Sequence, residues 1–212
     1  APHPLSMSSH TLEYFDVAGR ADAIRIAFHA AGVEFTDKRF TFQEWQGFKA
    51  ETTDWTYKNG LPVLTVDGQK FTQSLALLRY AGRKGKLYPE DAVQAMRVDE
   101  VMDINQDILA KTPSPPDAEE KKKQREAYGA GKMLELMSRL QQLAEQSTTG
   151  WIAGTKDMSI ADLVVYGLLF MIRKGDFDHI QTDYSDKFEK LVGLEKAVPE
   201  HPAVKAYYAS RQ

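Results

Sequence analysis

Tyr14 and Phe15 end a short β-prone run, Thr11 to Phe15, and Gly19-Arg20 opens the helical pattern that follows. A phenol at the C-terminal end of a strand, aimed at the adjacent helix start, is placed to donate a hydrogen bond to something bound there. The same pattern also describes an ordinary half-buried tyrosine. Gln73-Ser74 stands at a comparable junction, where strand gives way to helix. Its backbone N–H groups and the Ser74 hydroxyl suit an anion, especially a carboxylate, or act simply as a helix cap. Between these junctions, Gly60-Leu61-Pro62-Val63-Leu64 opens a strand with a proline, which cannot donate to a ladder. A cis bond at Leu61-Pro62 would turn the backbone of Leu61 outward, free to pair with an extended ligand.

Asp99, Asp103 and Asp107 recur at i, i+4, i+8, beside Glu100. Such a stripe is either a solvated face or the meeting place of something positive: an ammonium group, an arginine or a divalent cation. No His or Cys lies near enough in sequence to make a transition-metal site, and no metal is expected. Ser159-Ile160-Ala161-Asp162 carries folding chemistry instead. Ser159 reads as an N-cap, Asp162 reaches back to it, and Met158 with Leu163 forms the hydrophobic staple.

Composition narrows the classes further. Hydrophobic residues are 42% and charged residues 27% of the 212, the balance of a globular protein and not of a disordered or collagenous one. Zero cysteines exclude disulfides, thiolate metal sites and every Cys-nucleophile mechanism. A net charge of -3 gives no reason to expect nucleic acid or an anionic membrane as partner. The most apolar run, Leu163 to Ile172, is too short to span a bilayer and reads as a buried helix. The opening APHPLSMSSH has no apolar run or basic start, so it reads as a leader and not a secretory signal, with Met7 a candidate native start. A cytoplasmic protein is expected.

These residues must be held by two kinds of architecture. The first 84 residues read as β-α-β-α-β-β-α. The elements are a strand at Thr11–Phe15, a helix at Ala21–Ala31 stopped by Gly32, a strand at Val33–Phe40 and a helix at Phe42–Glu51. A hairpin follows, turning at Asp67-Gly68, and then a helix capped by Ser74 and running to about Lys84. From Glu90 onward helical periodicity takes over. Helices are expected over Asp91–Lys111, Glu119–Gln146 and Ser159–Arg173, and near Asp186–Ala197 and His201–Ser210. The charged opening of the second, EEKKKQRE, reads as a solvated face. The domains are therefore 9–85, mixed α/β, and 90–212, all-helical.

Taken together, TLEYFDVAGRADAIR, FQEW followed by Lys49, GLPVL, QSLALLRY and WIAGTKDMSIADL occur in the order and spacing of glutathione transferases. The resemblance covers about residues 11 to 208. The Tyr-Phe strand end and the Trp45/Lys49 pair look most like the sigma class and its invertebrate relatives. The resemblance implies a thioredoxin-like N-terminal domain, an all-helical C-terminal domain and a homodimer. It implies an enzyme that conjugates glutathione, as co-substrate, to small hydrophobic electrophiles.

By position, the resemblance gives Tyr14 the role of stabilising the thiolate and places Arg20 near that centre. Trp45 and Lys49 would hold the glycine carboxylate, and Leu61 with cis Pro62 would pair with the cysteinyl backbone. Gln73 and Ser74 would take the γ-glutamyl carboxylate, and Asp103 of the partner subunit its α-amino group. Phe15, Met102, Asn105 and Tyr208 would line the electrophile pocket. Where relatives often read N-x-R-G-R-A-E, this chain has Asp16, Ala18 and Asp22, so a basic side chain near the site mouth is missing. Gly60 stands where many place a long polar residue. The rival readings are a crystallin or ligand carrier, and a glutathione-dependent prostaglandin isomerase or peroxidase.

The Ser159/Asp162 cap is testable without reference to function. Ser159→Ala and Asp162→Ala should each lower unfolding free energy by about 1 kcal/mol in urea titrations.

Overall fold

The computed structural model describes residues 8–211; the leader reading lies outside them as far as Met7, but its end is not leader, since Ser9 N–H donates to Asp67 at 2.8 Å and His10 opens the first strand, buried. The chain divides into two compact units, the first ending at Lys86 and the second beginning at Leu87.

The first unit is built on four strands, β1 (His10–Phe15), β2 (Thr36–Phe40), β3 (Val63–Val66) and β4 (Gln69–Phe71), in the order β2-β1-β3-β4. β1 runs parallel to β2 and antiparallel to β3, and β3 is antiparallel to β4. Alternation along β1 sends successive side chains to opposite faces. His10 meets Phe28 of α1 (Asp22–Ala30) at 5.4 Å between rings and hydrogen-bonds Tyr80 of α3 (Ser74–Lys84) at 2.9 Å. α1 and α3 pack together on that face. Phe15 faces the other way, onto Trp45 of α2 (Phe42–Glu51). This is a thioredoxin-like arrangement, as expected.

Two local readings change. The second strand starts at Thr36, not Val33, because the end of α1 consumes the preceding backbone: Gly32 N–H donates to His29 and Val33 N–H to Phe28. The stretch before β3, to which the sequence assigned no element, holds a short 3-10 turn, Trp55–Asn59.

The second unit is helical: α4 (Ala92–Ala110), α5 (Ala118–Ala130), α6 (Lys132–Gln146), α7 (Ile160–Lys174), α8 (Glu189–Glu200) and α9 (Pro202–Ala209). α7 is buried on nearly every side, with Ile160, Leu163, Val165, Leu168, Leu169 and Ile172 all inside, and it packs against α4 and α8. Among the described residues no helix is long and apolar enough to cross a membrane.

The expected single helix from Glu119 to Gln146 is two. It breaks at Gly131, whose φ of -113° and ψ of -100° leave the helical region. Close packing accompanies the break: a Cβ on Gly129 would come within 2.6 Å of the Ile180 side chain. The Tyr184 hydroxyl donates to the Gly129 carbonyl at 2.5 Å. Within the charged run, Arg125 is buried and donates to the Pro113 carbonyl, so the run is not wholly a solvated face. The helix expected near Asp186–Ala197 is a 3-10 turn, Tyr184–Lys187, followed by α8.

The cap of α7 is stronger than its sequence signature. Asp162 is fully buried and accepts from Ser159 N–H at 2.8 Å, from the Ser159 hydroxyl at 2.9 Å and from Ile152 N–H at 2.8 Å. Burial pushes its carboxyl above the ordinary range, while these three donors act in the opposite sense. Removing the carboxylate strands two buried backbone donors. Asp162→Ala should therefore cost on the order of 3 kcal/mol, well above the ~1 kcal/mol of Ser159→Ala. Equal losses in urea unfolding would reduce Asp162 to a simple cap.

Candidate functional site

Tyr14 lies on the α1 side of the sheet with 7% of its surface exposed. Its oxygen accepts the backbone N–H of Arg20 at 3.1 Å. Gly19 makes this approach possible. Its φ is +41°, and a Cβ there would stand 2.6 Å from the phenol oxygen. Only glycine fits that position on both counts. A phenol has one proton and two lone pairs, so accepting from Arg20 leaves the O–H proton able to donate outward. Arg20 itself has an exposed side chain.

Beneath Tyr14 is Arg25, fully buried, with its guanidinium carbon 5.9 Å from the phenol ring centre. It is paired with Asp37 of β2. Nothing in the sequence reading singled out Arg25. The available signal is its position on α1, one residue from Ile24 on the buried side of an amphipathic pattern.

On the opposite face of β1, Phe15 is half-buried and stacks on the exposed Phe42 at 4.7 Å. It meets Trp45 edge-on at 6.1 Å. Trp45 is 7% exposed and shares a cluster with Phe40, Tyr57 and Val63, against which Phe15, Phe48 and Leu61 pack. α2 is anchored at its start by a capping box between Thr41 and Glu44. The Thr41 backbone N–H and hydroxyl hold the Glu44 carboxyl below the usual range. Lys49 lies exposed in the last turn of the same helix.

The Leu61–Pro62 peptide bond is cis. The β1/β3 register runs from His10↔Val66 to Glu13↔Val63, so the cis bond directly precedes the last pair of that ladder. At the start of α3 the N-cap is Gln73, and Ser74 is the first helical residue, which corrects the expected cap. Gln73 has φ +73°, a left-handed value for a residue with a side chain, which costs about 1–3 kcal/mol. Its carbonyl accepts from Ala76 and Leu77 N–H at 2.9 and 3.0 Å. The Ser74 and Leu75 amides ahead of them have no intrahelical acceptors by construction, which is what an anion site requires.

The remaining expected residues belong to the helical unit. Asp103 is exposed on α4. Its neighbours in the stripe are engaged: Asp99 accepts the Tyr88 hydroxyl at 2.9 Å, and Asp107 pairs with Lys111 at 2.5 Å. Met102 is fully buried and Asn105 is 4% exposed, whereas Tyr208 of α9 is half-buried against Tyr207. Among the described residues no group of three or more His, Asp or Glu side chains is placed to hold a metal ion.

Glu13 is another residue the sequence reading passed over. It is 4% exposed, accepts the Tyr57 hydroxyl at 2.5 Å and pairs with Lys38 at 2.7 Å. Burial and the Glu13 carboxylate push the Tyr57 hydroxyl up to about 12.

Residues 10–83 match the family model for the glutathione S-transferase N-terminal domain, and residues 102–211 match that for the C-terminal domain. Glutathione S-transferase 3 of Caenorhabditis elegans is 28% identical over 213 residues, covering 97% of this chain and 98% of that protein. S-crystallin SL20-1 of Nototodarus sloanii is also 28% identical, over 228 residues, with 97% and 98% covered. The solved prostaglandin synthase D of Nilaparvata lugens superposes with a TM-score of 0.81 at 25% identity, covering 96% of this chain and 98% of that one.

The Tyr57–Glu13 contact makes an alkaline prediction. A hydroxyl held up in the folded state contributes stability that is complete below the ordinary tyrosine pKa of about 10. That stability is lost as pH rises through about 12. Urea midpoints of wild type and Tyr57→Phe should therefore converge between these two pH values. A constant gap across that window would refute the assignment.

Proposed function

Because this chain belongs to the glutathione S-transferase family, we propose that it is a sigma-like, cytoplasmic, homodimeric enzyme that conjugates glutathione to small hydrophobic electrophiles. The observation that carries this reading is the Arg20 N–H donating to the Tyr14 oxygen at 3.1 Å over a glycine that leaves room for it.

A thiol with a pKa of about 8.5 is mostly protonated at neutral pH, and the thiolate is the nucleophile. A hydroxyl donated to the sulfur favours its charged form and lowers that pKa. Tyr14 supplies the hydroxyl, its oxygen oriented by the Arg20 amide. The thiolate sulfur then attacks the electrophilic carbon, a C–S bond forms, and the leaving group departs with its electron pair. The chain needs no cysteine because the substrate brings the sulfur.

Trp45 and Lys49 hold the glycine carboxylate in this reading, and the backbone of Leu61 pairs with the cysteinyl unit. Gln73 and Ser74 bind the γ-glutamyl carboxylate at the start of α3. Asp103 of the partner subunit meets the α-amino group. Of the residues expected on the electrophile side, the half-buried Phe15 and Tyr208 line it, Met102 and Asn105 being buried, and Arg20 polarises the centre. Fixing the tripeptide in this manner converts a bimolecular encounter into an oriented one, and that supplies much of the acceleration.

The similarity to an S-crystallin supports one alternative, a non-catalytic relative or ligand carrier, and the similarity to a prostaglandin synthase supports a glutathione-dependent isomerase. Turnover of a generic aromatic electrophile at the buffer rate would select the carrier. Product analysis with a prostaglandin endoperoxide would identify the isomerase.

Tyr14→Phe should lower kcat roughly 10- to 1,000-fold, the cost of one donor to a developing charge, with glutathione affinity little changed. Collapse of affinity with kcat preserved would remove Tyr14 from this role. Asp103→Ala should weaken glutathione binding in a dimer verified by solution mass. Unchanged affinity would return Asp103 to the solvated face of α4.

A further inference from the structure

We propose that Arg25 is a positioning residue for the reaction, a buried cation that holds the turn on which the Tyr14 hydroxyl is oriented. The inference rests on the reading of Tyr14 as the thiolate's donor.

The Arg25 side chain is 0% exposed. A guanidinium remains charged at any working pH, so its charge must be matched where it is buried. Asp37 of β2 supplies the match: Nε lies 3.1 Å from each carboxylate oxygen. The rest of the fork faces the segment between β1 and α1. Nη1 donates to the Val17 carbonyl at 2.9 Å and Nη2 to the Phe15 carbonyl at 3.5 Å. These carbonyls flank Asp16, in the stretch joining Tyr14 to Gly19 and Arg20. The same guanidinium lies 5.9 Å from the Tyr14 ring centre. One planar group thus touches the ring that carries the hydroxyl and the turn that carries its N–H donor.

The contacts close on themselves. Asp37 is shared with Arg39, at 2.9 Å from Nε and 2.6 Å from Nη2. Arg39 reaches Asp16 at 2.7 Å, returning to the turn. The outer members are partly exposed, with the Asp16 side chain at 65%, so salt screens them. Arg25 is the inner member that solvent does not reach. Lysine cannot reproduce it, because a single ammonium lacks the fork that addresses a carboxylate and two carbonyls together.

The test compares Arg25→Lys, Asp37→Asn and Tyr14→Phe with the double variant Arg25→Lys/Tyr14→Phe. The readouts are thermal melting, kcat, KM for glutathione, and the pH titration of the ultraviolet thiolate band of bound glutathione. Arg25→Lys should lower kcat about 10- to 100-fold, the scale of a misplacement near 1 Å, and leave KM little changed. It should also move the bound thiol's titration toward that of free glutathione. In the Tyr14→Phe background the same change should add nothing to the loss in kcat. Asp37→Asn, which keeps shape and removes charge, should shift the titration in the same direction and decides the matter if Arg25→Lys fails to fold. Lowered melting with wild-type kcat and thiol titration would overturn the proposal, as would an Arg25→Lys effect that persists in full without the Tyr14 hydroxyl. If Tyr14→Phe itself leaves the thiol titration unmoved, the reading of Tyr14 fails first and the inference falls with it.

Discussion

An amide donating to a phenol oxygen, the Arg20 N–H on Tyr14, is the contact around which the first unit is arranged. A hydroxyl can rotate, and a donor aimed at a developing charge helps only if its direction is set in advance. Here the direction is set by backbone, which has little freedom of its own. The amide arrives where it does because Gly19 occupies the left-handed region beside the ring. The turn that delivers Gly19 is held from below by a buried guanidinium and from the side by the Asp16–Arg39 pair.

The two units handle buried charge by the same rule. Removing an ionised group from water is costly unless its hydrogen-bonding capacity is met. Arg25 meets its requirement with one carboxylate and two carbonyls. Asp162 meets its own with two backbone amides and one hydroxyl. In both cases the charged side chain binds loop backbone that would otherwise be loosely specified: residues 15–17 in one unit, and Ile152 with Ser159 in the other. Each determines the course of the chain at a point where no ladder or helix does so, and Arg25 does it directly beneath the Tyr14 ring. Glu13, shared by Tyr57 and Lys38, does the same for the segment before β3.

Most of the fold could be read from local pattern. A β-prone run gave β1, the Asp67-Gly68 turn signal gave the hairpin that holds β3, and the apolar spacing of α1 and α4 with the Ser159 cap of α7 gave helices at nearly the observed positions. The misreadings share a cause. Residues 119–146 have helical propensity throughout, and only the packing of Gly129 beneath Ile180 and the break at Gly131 divide them. Ser74 has the composition of a cap, but the backbone turns one residue earlier, at Gln73, into a conformation that sequence preference disfavours. Arg125 looks like part of a solvated run and is instead buried on a loop carbonyl. At Gly129 and Arg125 a tertiary contact outweighed a local preference worth a few tenths of a kcal/mol to about 1 kcal/mol.

The candidate site divides along the same line. Residue type and order alone determined which side chains could act: a tyrosine at a strand end, a serine at a helix start, a proline opening a strand, and no cysteine anywhere. These follow from backbone rules that operate over a few residues, so a linear reading finds them. Tertiary structure decided how the tyrosine is held, because Arg25, Asp37 and Arg39 come from separate elements and meet only when β2 pairs with β1 and α1 packs over them. Charge pairing across 12 residues, as between Arg25 and Asp37, leaves no periodic signal in the sequence. It exists only after the sheet has brought its members within hydrogen-bonding distance.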